Sequence, residues 1–284
     1  MELNEIYQNQ DFQANGSAVK VSFEVFPPKD GNISKLFDEL RILKKYNPQL
    51  VSLTYGANGG TRDFSLELLR TILDLELNVM PHFTCMCSSK EIIEHYITQI
   101  ENMGIENILA LRGDKIDGDE LCTVDFRYAN ELVDFIHQKT TLSIGVAGYP
   151  EGHIEAESLD MDIDNLKRKV DAGASAIFTQ MFFDNNKFFE YVQRIRDAEI
   201  YLPVIPGILP VRSLNQMDKM ISMARISVPK SLRTQLEQFP DDVKKIGTEF
   251  AINQCGELID SGVCGIHFFT LNHSDQVCQV LDNI

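Results

Sequence analysis

Eight short apolar runs, each followed by a stretch with helical spacing, constrain this chain more than any other feature of its sequence. The runs, rich in β-forming residues, fall at 19–25, 50–55, 78–85, 107–111, 143–147, 176–180, 204–208 and 265–270. The helical stretches fall at 33–45, 66–75, 91–103, 126–138, 159–172, 187–198, 213–223 and 243–261. A strand covered on both faces reads as a continuous apolar run, and helices between such strands provide the cover. Strand then helix, eight times, with no Pro/Gly/Ser-rich linker between halves, predicts an α/β chain folded as a single (β/α)₈ (TIM) barrel. Such a barrel takes roughly 250 residues, which the 284 present supply with room for extensions. Residues 1–18 read as a polar N-terminal extension and 19–284 as the barrel domain. Residues 227–242, with Pro229 and Pro240, read as extra short helical structure before the last helix and strand. A doubly wound open sheet is the alternative. No G-x-G-x-x-G follows a strand and no G-x-x-x-x-G-K occurs, so neither a dinucleotide fingerprint nor a P-loop supports it.

Charge narrows the partners. Lys and Arg number 26 against 42 Asp and Glu, a formal charge of −16. A field of that sign repels nucleic acid and anionic lipid and leaves small molecules as the expected partners. No apolar run approaches a membrane span of about 20 residues, and Met1 to Gly16 is polar and acidic rather than signal-like. The expectation is a cytoplasmic protein. Of the six cysteines, Cys85 and Cys87 alternate on one strand, but no C-x-x-C pair is present. Buried free thiols, and no metal site, are expected.

The residues expected at the strand ends are polar. Glu24 lies in Val21-Ser22-Phe23-Glu24-Val25-Phe26-Pro27-Pro28, where two prolines stop the strand at the carboxyl end that carries active sites in this architecture. A buried glutamate there gains a raised pKa and can donate a proton near neutral pH; an edge-strand glutamate in solvent is the bland reading. Thr54-Tyr55-Gly56-Ala57-Asn58 follows the second run, His82 and Thr84 lie in the third, Arg112-Gly113-Asp114 follows the fourth, Tyr149 the fifth, Gln180 ends the sixth, and Asn272-His273 follows the eighth. Each alone has a structural explanation, such as a loop ion pair or a satisfied core histidine. Together they require a ligand or mutual pairing to offset their burial, which points to an enzyme. His82, His153, His267 and His273 are each isolated in sequence, so no zinc or iron site is indicated.

In the helix after the fifth strand, Leu159, Ile163, Leu166 and Val170 form the apolar stripe expected to face the barrel. Asp162, Asn165 and Lys169 form a polar stripe beside it. It reads either as a solvated face or as a row of contacts for the ribose and phosphates of a cofactor, with Arg168 and Lys169 supplying positive charge.

Several of these segments carry a family resemblance. Val51-Ser52-Leu53-Thr54-Tyr55-Gly56-Ala57-Asn58, Pro81-His82-Phe83-Thr84-Cys85, Ala110-Leu111-Arg112-Gly113-Asp114, Tyr149-Pro150-Glu151-x-His153, Asn165-Leu166-Lys167-Arg168-Lys169-Val170-Asp171-Ala172-Gly173-Ala174 and Pro206-Gly207-Ile208-Leu209-Pro210 resemble the bacterial type of methylenetetrahydrofolate reductase. The resemblance runs in order from about Val19 to the C-terminus. It implies a barrel that binds FAD without a Rossmann motif, consistent with the missing fingerprint. It implies an oxidoreductase acting on CH–NH donors. NADH or NADPH reduces the flavin, and 5,10-methylenetetrahydrofolate then takes its place and is reduced to 5-methyltetrahydrofolate, a ping-pong sequence that feeds methionine synthesis. The family forms homo-oligomers, dimers or tetramers, and its bacterial members point to NADH.

Carried over by position, the resemblance makes Glu24 the general acid that helps open the five-membered ring of the folate. Asp114 lies near the flavin pyrimidine and the pterin. Gln180 and Gln216 contact folate. Thr54, Tyr55, His82, Arg112, Gly113, Asp114, Tyr128, Ala129, Tyr149, His153, Ala156, Asp162, Asn165, Arg168 and Lys169 contact FAD. Two positions depart from the family pattern. Phe268-Phe269-Thr270-Leu271-Asn272-His273 ends in histidine where the pattern has a folate-contacting arginine, and Met220 replaces an aromatic residue. The alternatives to this reading are a pterin-binding barrel for group transfer and a non-catalytic flavin-binding scaffold.

Overall fold

In the computed structural model, which describes residues 1–7, 19–28, 31–54, 62–86, 88–113 and 125–284, eight parallel strands pair in sequence order and close into a barrel. The strands are β1 (Val21–Val25), β2 (Leu50–Leu53), β3 (Val79–Thr84), β4 (Asn107–Leu111), β5 (Ser143–Gly148), β6 (Ala176–Met181), β7 (Val204–Ile208) and β8 (Ile266–Phe269). Pairing of β8 with β1 closes the ring. Each lies within or close to an expected run, because a strand buried on both faces has no polar side to blur its limits. Phe23 and Phe268, in register across the closing pair, point outward with ring centroids 6.2 Å apart. They join the core shared with α2 (Ile33–Lys44), α3 (Arg62–Asp74), α4 (Lys90–Asn102) and α5 (Ala129–Lys139). The ring of helices continues with α6 (Leu159–Asp171), α7 (Asn185–Asp197), α8 (Leu214–Ala224) and α10 (Val243–Asp260).

Three further helices adapt the barrel to this chain. The extra structure expected at 227–242 contains α9 (Lys230–Gln238), whose Leu232 and Leu236 bury in a satellite core with Met217 of α8 and Ile246 of α10. That core props α8, which carries Gln216. A short α11 (Asp275–Leu281) follows β8 and has no counterpart among the expected helices. At the opposite end, α1 (Leu3–Tyr7) closes the barrel floor. This helix opens the stretch 1–18 read from sequence as a polar extension, and its apolar residues are turned inward. Leu3, Ile6 and Tyr7 are buried against Leu50, Met80, Leu109, Ala176, Phe178 and Ile205. Each fully buried side chain of this size contributes about 1.5–3 kcal/mol, enough to hold five residues in place. The backbone of the segment is tied down as well. Leu3 N donates to Ser143 Oγ at 3.2 Å, Asn107 Nδ2 donates to the Met1 carbonyl at 3.0 Å, and the Lys20 ammonium donates to the Ile6 carbonyl.

Candidate active site at the barrel mouth

Above the apolar floor the barrel interior turns polar. Ser22 and Glu24 are alternate residues of β1 and both project inward, while the register of β8 sets His267 opposite Ser22 and Phe269 opposite Glu24. Ser22 Oγ lies 2.8 Å from His267 Nδ1. A Ser22 hydroxyl donating to Nδ1 leaves Nε2 as the protonated nitrogen, and Nε2 faces Glu24 Oε2 at 3.8 Å. From β3, His82 Nε2 approaches the same carboxylate oxygen at 3.7 Å and has no hydrogen-bond partner. All three charged or titratable side chains are buried, Glu24 at 8 % exposure. Thr54, at the end of β2, also faces Glu24, and its buried hydroxyl helps to hold that carboxyl down.

The end of β1 is fixed from the β8 side. Thr270 Oγ1 donates to the Glu24 carbonyl at 2.6 Å. Asn272, held at φ 59°, brackets Phe26 with its amide: Phe26 N donates to Oδ1 and Nδ2 donates to the Phe26 carbonyl, both at 2.8 Å. Because Pro27 and Pro28 have no N–H to continue the ladder, this side-chain clamp takes over where the strand stops.

Electrostatics correct one sequence expectation. Burial does push Glu24 upward, but the His267 and His82 side chains outweigh it and hold the carboxyl below its ordinary value. His82 is itself pushed down to about 4 by burial, so it is a neutral ring at neutral pH. The favourable partner of a Glu24 anion is therefore His267. Sequence reasoning considers His267 only as a metal ligand and sets it aside because no other histidine lies near it in sequence. Ser22 and His267 are 245 residues apart, and only strand register brings them together. A histidine with inward parity on the last strand is the signal that was available.

A second group lies over β4, β5 and α6. Gly113 has φ +85°, and a Cβ there would sit 2.9 Å from Thr84 Cβ, so the turn after β4 takes only glycine. Arg112 donates through Nη1 to Glu155 Oε2 at 2.5 Å and through Nε to the Gly113 carbonyl at 3.2 Å. Tyr149 and His153 meet edge to face at 4.7 Å, with Lys169 Nζ 5.9 Å above the Tyr149 ring. Lys169 Nζ also donates to the Ala147 carbonyl at 2.6 Å, and burial lowers its pKa to about 8. Asp162 is buried and pushed up by that burial, while the nearby Lys169 draws it back. Ser158 caps α6 by accepting from Met161 N at 3.1 Å. Ala156 is half-buried in the loop before the cap.

The polar stripe of α6 is only partly gathered in. Asp162 and Lys169 turn toward the barrel, whereas Asn165 and Arg168 are exposed on its rim. Of the apolar stripe, Ile163 and Leu166 are buried, but Leu159, expected to face the barrel, is 39 % exposed in the first turn. Instead Leu159 flanks a cavity of about 130 Å³ between α6 and α7, which Asp162 and Tyr191 also line. Tyr191 was missed from sequence; its hydroxyl is buried beside Tyr149 and Asp162, and a Cβ on Gly148 would lie 2.3 Å from that oxygen. Tyr128, at the start of α5, is 58 % exposed, and Ala129 is half-buried. Tyr55, Asp114, Cys87 and Cys122 lie outside the described residues.

A third group sits at the ends of β6 to β8. Gln180 Oε1 accepts from Met181 N at 3.0 Å. Gln216 Oε1 accepts from Arg212 N at 2.7 Å, leaving a buried Nε2 without a partner. His273 is half-buried and lines a pocket with Gln216. Among the described residues, no group of three or more His, Cys, Asp or Glu side chains is arranged to hold a metal, and no helix is long and apolar enough to cross a membrane. Cys85 and Cys255 are buried free thiols pushed up to about 11 and about 12 by desolvation.

The arrangement can deliver or accept a proton at Glu24, hold anionic groups along β4–α6, and bind a polar substrate at β6–β8. Comparison with known proteins gives the family. The family model described as methylenetetrahydrofolate reductase matches residues 9–284. The chain is 35% identical over 281 residues to 5,10-methylenetetrahydrofolate reductase of Escherichia coli, covering 96% of this chain and 94% of that protein. It is 36% identical over 284 residues to methylenetetrahydrofolate reductase (NADH) 1 of Arabidopsis thaliana, covering 93% of this chain and about half, 48%, of the plant protein. Among solved structures, a protein of Clostridium thermocellum described as binding two copies of 5-methyl-5,6,7,8-tetrahydrofolic acid superposes with a TM-score of 0.63 at 12% identity, covering 96% of each chain. At that identity the likeness speaks for the fold alone.

Proposed function

The chain belongs to the methylenetetrahydrofolate reductase family, and on that premise we propose that it reduces 5,10-methylenetetrahydrofolate to 5-methyltetrahydrofolate with NADH as donor, through bound FAD. The observation that carries this reading is Glu24, a buried carboxylate at the mouth of the barrel with His267 and His82 at its shoulder. NADH is the preferred donor because the Arabidopsis relative is named for it.

The residues present fit FAD. His82 offers a buried polar atom without a partner, Thr54 and His153 add polar side chains, Gly113 keeps the turn after β4 low enough for a flat ring to approach, and Arg112, Arg168 and Lys169 bring positive charge to an otherwise acidic chain. With Tyr55, Asp114, Tyr128, Ala129, Tyr149, Ala156, Asp162 and Asn165 they form the set that would hold it. When bound, FAD would take hydride from the nicotinamide and supply it to the folate.

The rest is done by the chain. Folate occupies the mouth over Glu24, with Gln180 and Gln216 orienting it. Protonation of one ring nitrogen lets its bond to the bridging carbon break, and Glu24 is placed to give that proton. A carboxyl held below its ordinary value is anionic before substrate arrives, so the proton must be held close by. His267, bound to Ser22 on its far side, is placed to share it with Glu24. His82, neutral, adds shape and polarity without charge.

The test is an anaerobic titration of the purified chain supplied with FAD. NADH should bleach the flavin absorption and 5,10-methylenetetrahydrofolate should restore it. A protein that stays colourless with FAD, or whose reduced flavin ignores the folate, contradicts the reading.

A further inference from the structure

Between the ends of β7 and β8 a small pocket is lined by Arg212, Gln216, Phe269, Thr270, His273 and Gln276. It adjoins the proton donor, since Thr270 also bonds the Glu24 carbonyl. Two of its side chains, Gln216 and Arg212, offer donors. Gln216 spends its oxygen on Arg212 N, which leaves Nε2 buried without an acceptor. Arg212 Nη1 donates to Asp275 Oδ1 at 2.5 Å and to Gln276 Oε1 at 3.3 Å, while Nη2 reaches Asp275 Oδ2 only at 3.5 Å, so the guanidinium fork is half used.

Charge around the pocket is positive although the chain is strongly acidic. Asp275 receives both Arg212 and Lys244, two cations on one carboxylate. Lys35 and Glu39, the other charged groups acting on His273, oppose each other. His273 itself is pushed below its ordinary value by burial and by Arg212, so it adds no charge at neutral pH. A partly exposed guanidinium with an idle N–H and a buried amide without an acceptor together suit a carboxylate.

Resting on the function proposed above, we propose that Arg212, with Gln216 Nε2, anchors a carboxylate of the glutamate tail of the folate, and that His273 lines this subsite without anchoring the tail. The cation that reads the tail thus comes from the loop after β7 and not from the end of β8.

The experiment uses the full chain loaded with FAD and two substrates: 5,10-methylenetetrahydrofolate and its tail diamide, in which both glutamate carboxylates are amides. Wild type should show a KM for the acid roughly ten- to a hundredfold below that for the diamide, the range of a hydrogen bond to a charged group. Arg212→Gln should raise the KM for the acid by about tenfold or more, leaving kcat and the KM for the diamide within about twofold. Arg212→Lys should recover part of the difference. Asp275→Asn, which releases the guanidinium, should lower the KM for the acid. If Arg212 only holds α11 in place, Asp275→Asn will copy Arg212→Gln and both substrates will suffer alike, which overturns the proposal. Loss of the acid preference in His273→Gln but not in Arg212→Gln also overturns it. A wild type that reduces both substrates with equal KM refutes this inference alone, whereas one that reduces neither refutes the function reading and this inference with it.

Discussion

At the N-terminal ends of the strands, Leu3, Ile6 and Tyr7 are 0%, 1% and 2% exposed against an apolar layer closed by Phe178 and Ile205. At the C-terminal ends, Glu24, His82 and Asp162 are also buried, and His82 Nε2 and Gln216 Nε2 have no hydrogen-bond partner. The floor too buries unpaired oxygens, on Asn4 and Asn107, but it sets them within an apolar layer, whereas the mouth gathers titratable side chains. An unpaired buried polar group costs about 1–3 kcal/mol, so the mouth is destabilising until a ligand completes it. The floor adds to the stability that the strand–helix core supplies, and the mouth carries the chemistry. The contrast predicts that substitutions at the two ends separate stability from activity.

The largest stability effect should come from the floor. Ile6→Ala should lower the stability read from urea unfolding by about 2–5 kcal/mol, while the folded fraction keeps its KM and kcat. Loss of turnover without loss of stability would break the distinction. The next effect should come from His82. Held at about 4 in the fold and near 6.5 when unfolded, it binds a proton in the unfolded chain first. Stability should therefore fall as pH drops from about 6.5 to about 4, by up to about 3 kcal/mol. Glu24 acts in the same direction at lower pH, because a depressed carboxyl contributes stability that is lost on protonation. Urea midpoints across this range should be flatter for His82→Asn. The smallest effect on stability should come from Lys169. Burial depresses it to about 8, but it also donates to the Ala147 carbonyl and faces the buried Asp162, so its removal trades one desolvation cost for the loss of two contacts. Lys169→Met should therefore lower the stability of the FAD-free protein by no more than about 1–2 kcal/mol and weaken FAD binding, measured by flavin fluorescence.

The same contrast explains what could be read from sequence. The eight strands were legible because each is covered on both faces, and α9 because Leu232 and Leu236 repeat at helical spacing. The floor was not legible: three apolar residues in the five of α1 do not distinguish a plug from a polar tail until the hole they fill is known. The α11 helix, seven residues long, is too short for periodicity to show. At the mouth, Glu24, Thr54, His82, Arg112, Gly113, Tyr149 and Gln180 were legible as polar residues at strand ends. His267 and Arg212 were not. His267 gains its meaning from the register of β8 with β1, and Arg212 from the carboxylate of Asp275, 63 residues away in a different element. The direction of the Glu24 shift failed for the same reason, because burial is visible in a strand pattern and two histidines converging on one oxygen are not.

The central claim is that Glu24 serves the folate step as proton donor and leaves the entry of reducing equivalents alone. The most direct measurement is anaerobic stopped-flow absorption of the FAD-loaded Glu24→Gln protein, with each half-reaction followed separately. Bleaching of the flavin by NADH should match wild type within about threefold, whereas its reoxidation by 5,10-methylenetetrahydrofolate should slow by about 10²–10⁴-fold. Reoxidation at the wild-type rate would contradict the assignment of Glu24 as proton donor, and with it the division of the barrel into a floor that stabilises and a mouth that reacts.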